Sequence, residues 1–320
     1  MKKITILGAG HWGLALADVL ANNNNDILVY GRDKEDMKNL NEKHISKYFK
    51  NRLMHQNIKA TSDLSEAISF SDLIIISLPV TSIMENVEPY LNLDKTFVFT
   101  SKGLYQGKSM SQNFLGQNHN LKLAVLSGPS FSNEVMDHKY TCVTIAAKDL
   151  ELAKMLQHLF NNEYFRVYTS SDMIGVEYLG AIKNVFAIVS GMIDGYDLGT
   201  NTKNAVITRC LSEMGRVMDF VGGNNNTLHG LAGIGDIMLT CNSFESRNYT
   251  YGYNYATGKK FDAKQGIVEG LNTVKELHQI SLEHNLELPV VNALYAILCG
   301  NSNIEIEAKK LMNRELKSEL

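Results

Sequence analysis

Short, largely apolar runs punctuate the first half of the chain, at residues 4–7, 27–30, 73–78, 97–99 and 123–126. None alternates with polar residues, so each predicts a strand buried on both faces. Stretches of helical periodicity lie between them, and strands separated by helices predict right-handed crossovers and a parallel sheet. Residues 142–146 and 165–168 extend that sheet, around a helix at 150–160. From about Asp172 the segments become long and helical, with no obvious strand between them. The expectation is an α/β chain of two domains, a parallel-sheet domain over 1–171 and a mostly α-helical domain over 172–320. Two Asn-rich stretches, 22–25 and 222–226, read as loop tips, the second as a surface connection.

The first strand runs directly into Gly8-Ala9-Gly10-His11-Trp12-Gly13, and an amphipathic stretch with Leu14, Ala17, Val19 and Leu20 follows. G-x-G-x-x-G is weak by itself; set between a strand and a helix it marks a dinucleotide-binding turn. Gly8 permits the tight turn, Gly10 lets a pyrophosphate approach the backbone, and Gly13 brings the helix against the sheet so that its first amides face the anion. The first domain is therefore Rossmann-like, and a nicotinamide-dependent oxidoreductase is the leading expectation. His11 and Trp12 lie either against the cofactor or over the turn as a cover. The second strand ends in Tyr30-Gly31-Arg32-Asp33, where Asp33 suits a free ribose hydroxyl and Arg32 a 2′-phosphate. Arg32 tilts the expectation to NADPH, with NADH as the alternative.

Charge and composition narrow the partner to a small molecule. The 320 residues carry 31 basic and 34 acidic side chains, a formal charge of −3, with no long run of one sign, which disfavours nucleic acid or a polybasic membrane surface. Cys142, Cys210, Cys241 and Cys299 form no CxxC pair and no disulfide framework, and no His lies at metal-ligand spacing from them. A reducing cytoplasm and no metal are expected. The apolar run after Lys2-Lys3 is too short for a signal peptide, and no segment approaches a transmembrane span, so stable membrane insertion is not expected.

Candidate chemistry clusters beyond the turn. Ser101-Lys102-Gly103 follows the 97–99 strand, at the carboxyl end where open parallel sheets bind ligands. Lys102 is either a substrate contact or a solvated loop lysine. Ser127-Gly128-Pro129-Ser130-Phe131-Ser132 follows the next strand, a rigid turn with hydroxyls available to a phosphate or ribose. In the helix beginning near Gly175, the residues Gly180, Asn184, Ala187 and Gly191 recur at helical spacing, so something approaches that face closely. Lys183 and Asn184 sit near its middle, facing solvent or a cofactor. A Gly-rich loop at 230–236 ends in Asp236, which could also be a helix N-cap. Ser246 could cap a helix, and Arg247 could pair with Glu245.

Taken together, in order and over nearly the whole chain, these segments resemble bacterial-type NAD(P)-dependent glycerol-3-phosphate dehydrogenase. Val268-Glu269-Gly270 and Ser246-Arg247-Asn248 are among the more specific matches. The resemblance implies a helical second domain of the 6-phosphogluconate dehydrogenase C-terminal type, a homodimer, and an active site between the domains. The implied reaction is reversible reduction of dihydroxyacetone phosphate to sn-glycerol 3-phosphate, for phospholipid synthesis. Lys183 is implied as the acid/base, with Lys102, Asp236, Asn184 and Thr240 around the reacting carbon. Arg247 and Asn248, with Ser246, hold the phosphate, and Gly128 and Ser130 line the pocket. Ser132, Arg247, Ile267 and Glu269 join Gly8, Gly10, His11, Trp12, Gly13, Arg32 and Lys102 on the cofactor. Lys183-Asn184 alone would also fit a β-hydroxyacid or 6-phosphogluconate-type dehydrogenase; the 230–236 loop and Ser246-Arg247-Asn248 favour glycerol 3-phosphate. Two departures stand out: His11 where the family commonly has serine, and Asn242-Ser243-Phe244-Glu245 where a Thr-Ser-Pro stretch is usual.

Overall fold

The computed structural model describes all residues except 91–92, 117–120, 263–265, 317 and 319–320. The chain divides into two compact units, one of Met1–Gly180 with Gly222–Asp236, the other of Ala181–Val221 with Ile237–Leu320.

The first unit is built on β1 (Lys3–Leu7), β2 (Asp26–Tyr30), β3 (Ile58–Thr61), β4 (Leu73–Ile76), β5 (Thr96–Phe99), β6 (Lys122–Ser127), β7 (Thr141–Ala146) and β8 (Phe165–Ser170). They form one sheet in the order β3-β2-β1-β4-β5-β6-β7-β8. The order reverses between β1 and β4, which is where open α/β sheets bind ligands. Burial is two-sided, as apolar runs without a polar face require: Ile75, Val98, Ala124 and Leu126 join one core with Leu16 and Leu20. Ile74, Ile76, Phe97, Phe99 and Val125 join the other with Ile83 and Phe114.

Two features depart from the expected sheet. Strand β3 lies at the edge, and its four residues include the exposed Lys59, too short and too polar a run to stand out by hydropathy. The β6–β7 pair is antiparallel. Between those strands lies only the five-residue helix Ser132–Met136, followed by a left-handed turn at His138, and so short a link reverses the chain more readily than it crosses over. The second Asn-rich stretch also differs from a bare loop. Asn224 caps the helix Asn225–Leu228, and Asp172 accepts bonds from the Asn224 amide and the Thr227 hydroxyl.

The helix Met173–Gly195 is long and apolar enough to cross a membrane by length and composition, contrary to the expectation that no segment approaches that limit. Its most apolar window is 89% buried inside the protein, the mark of a core helix. The predicted close approach to its small-residue face is realised. A Cβ on Gly191 would collide with the Tyr249 carbonyl, and one on Gly252 with that of Ile188, so this helix and Arg247–Ala256 touch through their backbones.

In the second unit, Glu213 on the helix Thr200–Val221 accepts hydrogen bonds from the Val290 and Val291 amides at 2.6 and 3.2 Å. It caps the helix Pro289–Leu298, whose own N-cap, Leu288, offers no acceptor. Burial pushes the Glu213 carboxyl up to about 7, outweighing the two amides that favour its charge. A carboxyl whose folded-state pKa is raised contributes stability that is complete below its unfolded value and is lost as pH rises through the folded one. The urea midpoint should therefore fall more between pH 5 and pH 8 in the wild type than in Glu213→Gln; parallel profiles would contradict the shift.

Candidate active site

In the first unit the glycine turn closes as its spacing demands. Gly8 has φ +121°, and a Cβ there would strike the Ser77 carbonyl; one on Gly13 would strike that of Gly8. Gly10 differs, having nothing within 4 Å of a Cβ position. It is also the N-cap of the helix His11–Asn22, with no side chain on the first amides. The indole Nε1 of Trp12 is buried without a hydrogen-bond partner. An open approach at Gly10, uncapped helix amides and an orphaned donor fit a dinucleotide pyrophosphate. His11 packs edge-on against Tyr48 and Phe49, with centroids 4.9 and 5.4 Å away.

At the end of β2, Asp33 is engaged elsewhere. Its carboxylate caps the helix Lys34–Lys43 through the Glu35 and Asp36 amides, and it pairs with the Lys47 ammonium at 2.6 Å. That ammonium holds the Asp33 carboxyl below its usual range, while Lys47 is raised. From sequence alone Asp33 suggests only a ribose acid, and nothing there points to Lys47. An acid opening a turn that continues Lys-Glu-Asp is a capping signal that could have revealed the first of these roles.

Further along the sheet, Lys102 extends from the loop after β5 to the Asp236 carboxylate at 2.7 Å and the Gly128 carbonyl at 3.1 Å. Ser130 donates to the same carbonyl at 3.0 Å. Four predicted substrate residues thus converge within this unit. Asp236 is not a helix N-cap: a π-helical turn, Leu231–Gly235, starts at Gly230 and continues into the helix Asp236–Thr240. With its side chain 1% exposed, the Asp236 carboxylate cannot be left charged without a partner. Ser132, half-buried, opens the helix Ser132–Met136.

The second unit holds the other group. Lys183 and Asn184 are buried, contrary to the solvent-facing alternative, and the Lys183 ammonium donates to Thr240 Oγ1 at 2.7 Å. Asn248 donates to Asn184 Oδ1 at 3.0 Å and accepts from the Gly270 amide at 3.0 Å, which ties the Val268-Glu269-Gly270 segment to the Lys-Asn pair. Ser246 caps the helix Arg247–Ala256 by accepting from the Tyr249 amide. Arg247 is exposed, with no ion pair to Glu245 among those formed by the described residues. Its Nη1 lies 2.6 Å from where a Cβ on Gly266 would stand, so that glycine, which the sequence reading passed over, makes room for the guanidinium. Ile267 is 55% exposed, and Glu269 immediately precedes the helix Gly270–His284.

Comparison with known proteins decides the family. Residues 3–153 match the N-terminal description of NAD-dependent glycerol-3-phosphate dehydrogenase, and residues 172–309 match the C-terminal one. The chain belongs to the NAD-dependent glycerol-3-phosphate dehydrogenase family. Glycerol-3-phosphate dehydrogenase [NAD(P)+] of Staphylococcus aureus strain NCTC 8325 is 39% identical, and that of Staphylococcus haemolyticus 37%, with 100% of each chain covered. The crystal structure of glycerol-3-phosphate dehydrogenase from Coxiella burnetii superimposes with a TM-score of 0.91 at 31% identity, covering 98% of this chain and 99% of that one. A Rossmann-like unit, a helical C-terminal part and NAD(P)-dependent oxidoreduction are therefore those of this dehydrogenase family.

Removing Asp236 leaves the Lys102 ammonium short of its anion in a largely buried place. Asp236→Ala should lower the unfolding free energy by about 3 kcal/mol, the scale for breaking a buried pair from one side. Urea denaturation measures this, and a loss below about 1 kcal/mol would mean that the pair contributes as little as an exposed one.

Proposed function

We propose that this chain catalyses the reversible reduction of dihydroxyacetone phosphate to sn-glycerol 3-phosphate with NADPH or NADH. The observation that carries this reading is the buried Lys183, whose ammonium is held on the Thr240 hydroxyl in a chain of this family. The reduced nicotinamide supplies a hydride to the carbonyl carbon; the carbonyl oxygen needs a proton from elsewhere. Lys183 donates that proton and stabilises the developing negative charge, and Thr240 keeps its ammonium aimed. In the reverse direction the same amine accepts the proton.

The remaining residues bind and orient. Lys102, set by Asp236 and Gly128, offers a second cation to the carbonyl end of the substrate, and Ser130 lines that side. Asn184 and Asn248 brace one another beside the reacting centre, which leaves Asn248 one amide hydrogen for the phosphate. The exposed Arg247 fork takes the phosphate dianion in a bidentate grip, with Ser246 fixing the start of its helix. Gly8, Gly10, His11, Trp12 and Gly13 receive the pyrophosphate. Arg32 meets the adenosine ribose, while Ser132, Ile267 and Glu269 meet the rest of the cofactor.

We further propose a cytoplasmic homodimer that supplies glycerol 3-phosphate to phospholipid synthesis. Four cysteines without a disulfide support the compartment.

Two substitutions test the assignment. Lys183→Ala should bind NADPH within about twofold of the wild type in a fluorescence titration, while kcat falls by roughly 10² to 10⁴. Near-normal turnover would remove Lys183 from the acid/base role. Arg247→Ala should raise the KM for dihydroxyacetone phosphate about tenfold or more in steady-state assays, with a smaller loss in kcat; an unchanged KM would move the phosphate elsewhere.

A further inference from the structure

Preference between NADH and NADPH is decided at the adenosine ribose, where an acid at the end of the second strand selects the free 2′-hydroxyl and a cation selects the 2′-phosphate. Three observations in this chain bear on that choice. Position 31 has no room for an acid as packed: a Cβ on Gly31 would stand 2.7 Å from Ala9 Cβ, which moves only with the glycine turn, and 2.8 Å from Met37 Cε. The next acid, Asp33, has its carboxylate committed to the helix amides and to Lys47. The segment that bears Lys47 is itself anchored, since buried Asp36 accepts from the Lys47 amide at 2.8 Å and from the Ser46 hydroxyl at 3.0 Å. The same segment presents Tyr48 and Phe49 to His11, so Lys47 is carried on a piece of chain that also touches the glycine turn.

We propose that Lys47 is a specificity-determining residue for the cofactor, neutralising Asp33 and, together with exposed Arg32, forming a two-cation seat for the 2′-phosphate of NADPH. The proposal rests on the reading of the β2 end as the adenosine-ribose site. Charge arithmetic supports it. Among the exposed charges of this turn Arg32 and Asp33 cancel, as do Lys34 and Glu35, so Lys47 leaves one net positive charge, while the Asp36 carboxylate is buried on the Ser46 hydroxyl and the Lys47 amide. Because Lys47 and Asp33 are both about half exposed, with side-chain exposures of 48% and 44%, their pair is weak enough for the ammonium to turn to a phosphate without a large loss. With Lys47 removed, Asp33 keeps its cap but shows an unneutralised charge, which opposes the 2′-phosphate and tolerates the hydroxyl of NADH.

The only tryptophan of the chain is Trp12, inside the glycine turn, so quenching of its fluorescence reads cofactor binding independently of turnover. Titrations with NADPH and NADH, paired with kcat/KM for both, should be run on the wild type, Lys47→Met, Asp33→Asn and Arg32→Ala. Lys47→Met should lower the NADPH-to-NADH ratio roughly tenfold, the scale of one charge-assisted contact, chiefly through Kd and KM for NADPH. Asp33→Asn, which keeps an acceptor for the helix amides, should raise the ratio. A ratio unchanged within twofold in Lys47→Met, or equal losses with both cofactors, overturns the proposal. If Arg32→Ala collapses the ratio while Lys47→Met does not, the ribose site stands and only the role of Lys47 falls. If neither variant moves it, the reading of the β2 end falls as well.

Discussion

Polar groups taken out of water must find partners, and on the helix Met173–Gly195 this requirement organises much of the protein. The helix is apolar enough to be buried almost throughout, yet it carries Glu177, Lys183 and Asn184 among its buried residues. Each calls in a partner from far along the chain. Glu177 accepts from the amide and hydroxyl of Ser111, Lys183 donates to Thr240, and Asn184 accepts from Asn248, which in turn holds Gly270. Burial pushes the Glu177 carboxyl up, against the hydrogen bonds that favour its charge. An apolar residue would pack in these places at less cost, so a buried amine and amide point to a role other than packing.

Much of the architecture was legible because its cause is local. Buried parallel strands need apolar runs, and the runs were there; the helix Leu150–Phe160 came out with the predicted bounds. What escaped depends on partners distant in sequence. Edge strand β3 is fixed by pairing with β2, not by its own hydropathy. The reversal at β7 reflects the brevity of one connection, and the π-helical turn before Asp236 has no signature beyond its glycines. That turn is of a kind often associated with functional positions.

The candidate site divides along the same line. Lys102 was ambiguous in the sequence, since a loop lysine is usually solvated; only the fold brings Gly128 and Asp236 to it. Lys183 and Asn184 could equally have faced water, and helical periodicity could not choose, because small residues on one face tell only that a neighbour comes close. In the glycine turn the steric expectations are met, with Gly8 and Gly13 leaving no room for a Cβ and Gly10 open. Asp33 was left beside Arg32 as the weaker alternative, since an acid after the second strand has two uses, and here the helix that follows it takes the carboxylate.

Gly31 limits how descendants of this chain could change their diet of reducing equivalents. On the proposed reading of the β2 end as the ribose site, an acid at position 31 would favour NADH, but Ala9 and Met37 already fill the space its side chain would need. Such a side chain needs room from both neighbours: the flexible end of Met37 can give way, whereas Ala9 Cβ lies within the glycine turn itself. The order of substitutions matters, because contacting residues do not contribute independently. Adaptation is then channelled to positions 32, 33 and 47, where side chains face solvent and changes are sterically cheap.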